Sequence, residues 1–126
     1  MATATGKSVW VGRVISALVS LLFLFSGVMK LVGGPQVAEG FAHLGLPESM
    51  RVPLGILEIA CVAVYLIPAT AVIGAILLAG YVGGTIVTSW RVGDPVYLQI
   101  ALGLLLWLGL YLREPRLKPL IPLRRP

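Results

Sequence analysis

Gly80-Tyr81-Val82-Gly83-Gly84-Thr85-Ile86-Val87-Thr88-Ser89-Trp90-Arg91-Val92-Gly93-Asp94-Pro95 decides how the chain reads. The stretch starts inside an apolar run and finishes among charges. Gly80 and Gly84 stand at i and i+4, so they share one helical face. Thr88 continues that stripe, and Arg91 lies one turn beyond it. A stripe of small residues admits close approach of a neighbouring helix, and Thr hydroxyls bond across such a seam. The segment therefore reads as an inner helix of a membrane bundle. Gly80 and Gly84 are expected to pack closely within the bundle, with the polar end facing a region that needs charge.

Composition agrees. The chain has 126 residues, 58% hydrophobic and 12% charged, and its mean hydropathy is +0.97. Soluble domains are about half apolar and about a quarter charged, so this chain belongs in lipid. Its length holds one domain. The net charge of +5 comes from basic residues near the ends of apolar runs, a distribution that sets topology and needs no nucleic-acid partner. The single cysteine, Cys61, cannot form an intrachain disulfide or a C-x-x-C pair. It reads as a small core residue. With one histidine, His43, a His/Cys metal site is not expected.

Outward from the central stretch, the punctuation divides the chain. Residues 1–8 read as a mobile terminus. The apolar runs give four spans at about 9–32, 51–67, 70–90 and 95–112, against about 20 residues to cross the hydrocarbon core. The first run exceeds the 7–15 residues of a signal-peptide core and is read as a retained span. Gly33-Gly34-Pro35 closes it. The connection Gln36–Met50 places Val37, Phe41 and Leu44 on one face, which predicts a small surface helix closed by Leu46-Pro47. Pro68 forces a turn between the second and third spans. Asp94 and Pro95 read as N-cap and first residue of the fourth. Residues 113–126 form a basic, proline-rich tail.

Four spans put both termini on one side, with Lys7, Arg13, Arg113, Arg116, Lys118, Arg124 and Arg125. Only Lys30, Arg51 and Arg91 face the other. The positive-inside rule then assigns both termini to the cytoplasm. The fold class is all-α, an integral membrane four-helix antiparallel bundle of the plasma (bacterial inner) membrane. In this topology Lys30, Glu58, Thr88, Arg91 and Gln99 all lie in the outer half, each near a small residue on its stripe, and they are expected to meet in one polar pocket. The inner half looks almost purely apolar apart from Ser16, Ser20 and Thr70.

Glu58 is the sharpest residue. A carboxyl group in the membrane costs a few kcal/mol even on lenient scales. It has to pair with Lys30 or Arg91, accept hydrogen bonds, or stay protonated. The functional reading is a proton-exchanging or ligand-anchoring group; the structural reading is an ion pair that sets packing. Lys30 and Arg91 either join that pocket or snorkel to headgroups. His43 reads as an exposed loop residue, with a proton relay as the alternative. No nucleophile–base pair, phosphate loop or metal constellation is present, so no catalytic residue is assigned.

Several pieces together resemble the DoxX-like family of small four-helix membrane proteins. They are Phe25-Ser26-Gly27-Val28-Met29-Lys30-Leu31, Leu44-Gly45-Leu46-Pro47, Gly55-Ile56-Leu57-Glu58, and Gly83-Gly84 with Arg91-Val92-Gly93-Asp94-Pro95. Their order and spacing carry the resemblance over nearly the whole chain. Members often carry Thr-His-x-Arg where this chain has Thr88-Ser89-Trp90-Arg91, so no His-dependent chemistry carries over here. The resemblance implies an antiparallel left-handed bundle. It also implies a redox-linked role, since the family name comes from a subunit of a thiosulfate–quinone oxidoreductase, with a quinone as the implied ligand and a redox partner protein as the implied partner; other relatives act as assembly factors for membrane proteins. A homo-oligomer is a further partner that the sequence leaves open.

Three functions follow as expectations. The first is binding of a quinone or other lipophile through Glu58, Lys30, Arg91, Thr88 and Gln99. The second is a structural or assembly role without ligand. The third, a proton-coupled exporter, ranks last. Four-helix exporters of this length carry their membrane Glu on the first span, whereas Glu58 is on the second.

Overall fold

The computed structural model describes residues 6–120. The mobile terminus read over 1–8 therefore falls partly outside the described residues, as do Arg124 and Arg125. The elements are α1 (Lys7–Val32), α2 (Pro35–Leu44), α3 (Arg51–Leu66), α4 (Ala71–Arg91) and α5 (Tyr97–Arg113). Short 3-10 turns precede α3 and α4 and follow α5. Among the described residues there are no strands.

Counted with their leading turns, Lys7–Val32, Glu48–Leu66 and Pro68–Arg91 are long and apolar enough to cross a bilayer, and Tyr97–Arg113 is a shorter apolar helix of 17 residues. That length is at the lower end of the spanning range, about 17–25 residues. α1 packs against α3 and α5, and α4 packs against the same two helices. The α3–α4 and α4–α5 links are short, which makes those neighbours antiparallel, while the longer α1–α3 link carries α2; the chain closes a ring of four in sequence order. Phe25, Ile73, Trp90, Tyr97 and Leu104 point outward and are exposed, which suits a surface whose solvent is lipid. The interior holds Val19, Phe23, Cys61, Val62, Tyr65, Leu78, Leu106 and Leu110.

The closest seams are made by glycines other than those expected. A Cβ on Gly12 would lie 2.7 Å from the Gly109 carbonyl, one on Gly55 2.9 Å from the Gly27 carbonyl, and one on Gly74 2.3 Å from the Tyr65 backbone. Around Gly80 and Gly84 a Cβ would meet nothing within 4 Å. The expectation of close packing at Gly80 and Gly84 is therefore corrected. The reason is helical phase. Ala71, Ala75, Leu78, Val82 and Ser89 are the buried stripe of α4, and Gly80 and Gly84 fall beside it, toward the end of the bundle that α2 covers.

Helix α2 is the predicted surface helix. Pro35 opens it, Gly45 ends it at φ 74°, and the Gly45 and Leu46 amides close on Ala42 and Phe41. That backbone turn is left-handed, which favours glycine. Phe41 is buried and anchors α2 to the bundle. The reading of Asp94 and Pro95 as N-cap and first residue of the last span is also corrected. Val96 is the N-cap, and α5 starts at Tyr97. The Asp94 carboxylate instead holds His43 of α2, at 2.8 and 2.9 Å.

Arginines close three helix ends. The last carbonyls of a helix have no partner within it, and a cation there also suits the helix dipole. Arg51 donates to the carbonyls of Lys30 and Leu31 at the end of α1. Arg91 donates to the Leu44 carbonyl at the end of α2. Arg113 donates to the Tyr65 carbonyl at the end of α3, at 2.5 Å.

Candidate functional site

The site is built around the carboxyl group of Glu58. Glu58 lies two turns into α3, about 10 Å along the helix axis from Arg51 at 1.5 Å per residue, and is 2% exposed. Lys30, near the end of α1, places Nζ 3.0 Å from Glu58 Oε1 and is itself 18% exposed. One turn earlier on α1, Ser26 donates to the same Oε1 at 3.2 Å and accepts from Lys30 at 2.7 Å. Tyr81 of α4 donates to Oε1 at 3.1 Å. Three spans thus contribute to one buried ion pair. The i, i+4 placement of Ser26 and Lys30 on one face is what lets both reach it.

The valence count leaves capacity over. All three donors converge on Oε1, so Oε2 has no donor among the described residues. The Lys30 ammonium carries three N–H bonds, and two are engaged. The site thus retains one anionic acceptor and one cationic donor.

Two cavities meet there. One, of about 320 Å³, lies between α1, α4 and α5 and is lined by Glu58, Lys30, Ser26, Tyr81 and Gln99 with apolar walls from Phe23 and Leu102. The other, of about 350 Å³, lies under α2 and is lined by Phe41, Leu44, Met50, Leu54, Gly80 and Gly84, with Thr88 at its side. Lys30, Tyr81 and Thr85 border both. The single chamber expected from sequence is divided, and Tyr81 stands at the division.

The residues singled out from sequence are distributed as follows. Lys30, Glu58 and Gln99 line one cavity. Thr88 lines the other, and its hydroxyl bonds back to the Gly84 carbonyl of its own helix at 2.7 Å rather than across a seam. Gln99 donates to Ser89 at 3.1 Å and so ties α5 to α4. Arg91 borders neither cavity; it is the α2 cap. Of the two cations open to Glu58 in the sequence, the fold selects Lys30.

Sequence reasoning passed over two tyrosines. Tyr81 is the hydroxyl that reaches the ion pair from α4, one residue after Gly80 and off the Gly80–Gly84–Thr88 stripe. Tyr65 places a phenol in the inner half: its hydroxyl donates to the Leu106 carbonyl at 2.5 Å and stands 3.0 Å from Ser16 Oγ. The Arg113 guanidinium stacks over its ring at 4.5 Å. The inner half thus carries a polar knot of Ser16, Tyr65 and the Leu106 carbonyl, while the buried Ser20 hydroxyl has no hydrogen-bond partner among the described residues. A single tyrosine near the end of an apolar span was the available signal, because a buried phenol has to find a partner.

A model of the DoxX-like family matches residues 14–112, which take in most of α1, nearly all of α5, the whole of α3 and α4, and the whole of the site. The chain belongs to the DoxX-like family. No curated protein and no solved structure matches this DoxX-like protein. Its apolar helices and its family together make it a multi-pass integral membrane protein in contact with the lipid bilayer.

Proposed function

We propose that this DoxX-like protein binds a membrane-soluble small molecule, of the quinone class, with its polar head beside Glu58 and Lys30. The observation that carries the reading is the unspent capacity of a buried ion pair bordering a cavity. Ligand sites are mostly apolar clefts with a few placed polar groups, and the walls around Glu58 have that make-up. A quinone fits the donor set. Its carbonyl accepts from the third N–H of Lys30, and in the reduced form its hydroxyl donates to Oε2 of Glu58. Tyr81 orients the carboxylate through Oε1, and Gln99 and Thr88 supply polar edges to the two cavities. Arg91 acts by holding α2 in place rather than by touching the ligand.

The role is that of a binding subunit in a redox-linked complex of the bacterial inner membrane, working with a redox partner protein and with both termini in the cytoplasm. The charge count supports that orientation. Lys7, Arg13, Arg113, Arg116 and Lys118 flank the terminal side against Lys30, Arg51 and Arg91 on the other. The test is equilibrium binding of a decyl-substituted benzoquinone to the full chain in lipid nanodiscs. Glu58→Gln and Lys30→Met are expected to weaken binding about ten-fold or more, since a hydrogen bond to a charged group contributes about 1.5–3 kcal/mol. Binding that both variants leave unchanged would refute the reading.

A second reading, a structural or assembly protein without ligand, is favoured by one observation: the ion pair is already hydrogen-bonded internally through Ser26 and Tyr81. On that reading the wild-type protein takes up no benzoquinone at all.

A further inference from the structure

We infer that the ligand carries a single linear tail, and that the tail runs from the Glu58 head site past Tyr81 into the cavity under α2, along the Gly80–Gly84 face of α4. This rests on the binding reading above and adds the shape of the molecule. Three observations support it. First, the two cavities share Lys30, Tyr81 and Thr85, so a head held by Lys30 is at the mouth of the second cavity. Second, the second cavity has apolar walls of Phe41, Leu44, Leu54 and Met50, and its one cation is the Lys30 already paired with Glu58. Its other polar edges are the hydroxyls of Tyr81, Thr85, Thr88 and Ser89, each already hydrogen-bonded within the protein, and the apolar walls match an alkyl or isoprenoid chain.

Third, the space exists because α4 lacks side chains there. A Cβ at Gly80 or Gly84 meets no atom within 4 Å, whereas at Gly12, Gly55 and Gly74 it would collide with a neighbouring helix. Most glycines in transmembrane helices serve close packing. Gly80 and Gly84 are exposed and border an open groove instead, flanking Tyr81, whose hydroxyl donates to Glu58. The Thr85 and Thr88 hydroxyls donate back to the Val82 and Gly84 carbonyls, at 2.7 Å each, so their donors are spent within α4.

The experiment compares two probes on the full chain in lipid nanodiscs: a tail-less dimethoxy-methyl-benzoquinone and its decyl-substituted homologue. Gly84→Leu places a side chain in the groove at a position where a Cβ meets no neighbour within 4 Å. It is expected to weaken the decyl probe about ten-fold, a difference of about 1.4 kcal/mol, and to leave the tail-less probe within about two-fold. Taking the variant-to-wild-type ratio for each probe cancels its partition into the bilayer. Retained head binding also reports that the variant is folded, and Gly80→Leu, one turn away, repeats the measurement. Equal effects of both substitutions on both probes would overturn the tail assignment while leaving the head site standing. Failure of both probes to bind the wild-type protein would remove the head site, and the tail assignment with it.

Discussion

Replacing Glu58 by glutamine keeps the shape of the side chain and the acceptor for Ser26 and Tyr81, and removes only the charge. What is left behind is the Lys30 ammonium, 18% exposed and bonded to one hydroxyl. Removing one partner of a fully buried pair costs about 3–5 kcal/mol. Lys30 is near the end of α1 and keeps a path to the headgroups, so part of that cost is relieved by snorkelling, and about 2–3 kcal/mol is expected. For a bundle of this size that corresponds to a fall in Tm on the order of 10 °C, read by thermal unfolding in a fixed detergent. The double variant Lys30→Met/Glu58→Gln removes the stranded cation as well and is expected to recover most of the loss, because the two charges couple. If Glu58→Gln has no effect, or if the two single costs simply add in the double variant, the two groups are not an ion pair and the account of the site fails.

Gly74→Ala is expected to destabilise by about 1–3 kcal/mol through overpacking, since its Cβ would lie 2.3 Å from the Tyr65 backbone. Gly84→Ala is expected to be neutral or stabilising by up to about 1 kcal/mol, and one unfolding series distinguishes the two glycines. His43→Ala removes the exposed contact with Asp94; at about 0–1 kcal/mol for such a pair it leaves global stability nearly unchanged but should raise hydrogen exchange in α2 selectively. The Arg116 hydrogen bond holds the Glu114 carboxyl below the ordinary carboxylate range, against a smaller opposing effect of burial. Its contribution is therefore present at neutral pH and lost as pH falls through the lowered value. Glu114→Gln should flatten that acid limb of the Tm–pH curve, and a curve identical to wild type would show that the contact is not formed in solution.

The membrane class and the helical bundle were legible because they depend on long-range composition and on where prolines and glycines interrupt apolar runs. Pro68 and Gly45 act locally, and local chemistry is what a sequence displays. Glu58 was legible as a problem, because a carboxyl group that deep needs an answer. The sequence narrowed that answer to Lys30 or Arg91, and the choice depended on which helix ends face each other. The role of Gly80 and Gly84 was not legible, since a glycine that lets a helix approach and a glycine that leaves room look identical until helical phase is known. Asp94 shows the same limit. Its capping role was locally sound, and His43, distant in sequence, claimed the carboxylate. Arg91 is the converse case: its charge suggested a ligand, and a main-chain carbonyl of α2 took it.

The three arginine caps have a consequence for biogenesis. Each seals a helix that precedes it in the chain: Arg51 closes α1, Arg91 closes α2 and Arg113 closes α3. A polypeptide leaving the ribosome therefore carries each helix with an unsealed end until a later segment emerges. The first span waits only for the start of α3, whereas α3 waits for the final turn of α5. Chains cut short before residue 113 would leave the Tyr65 carbonyl without that donor.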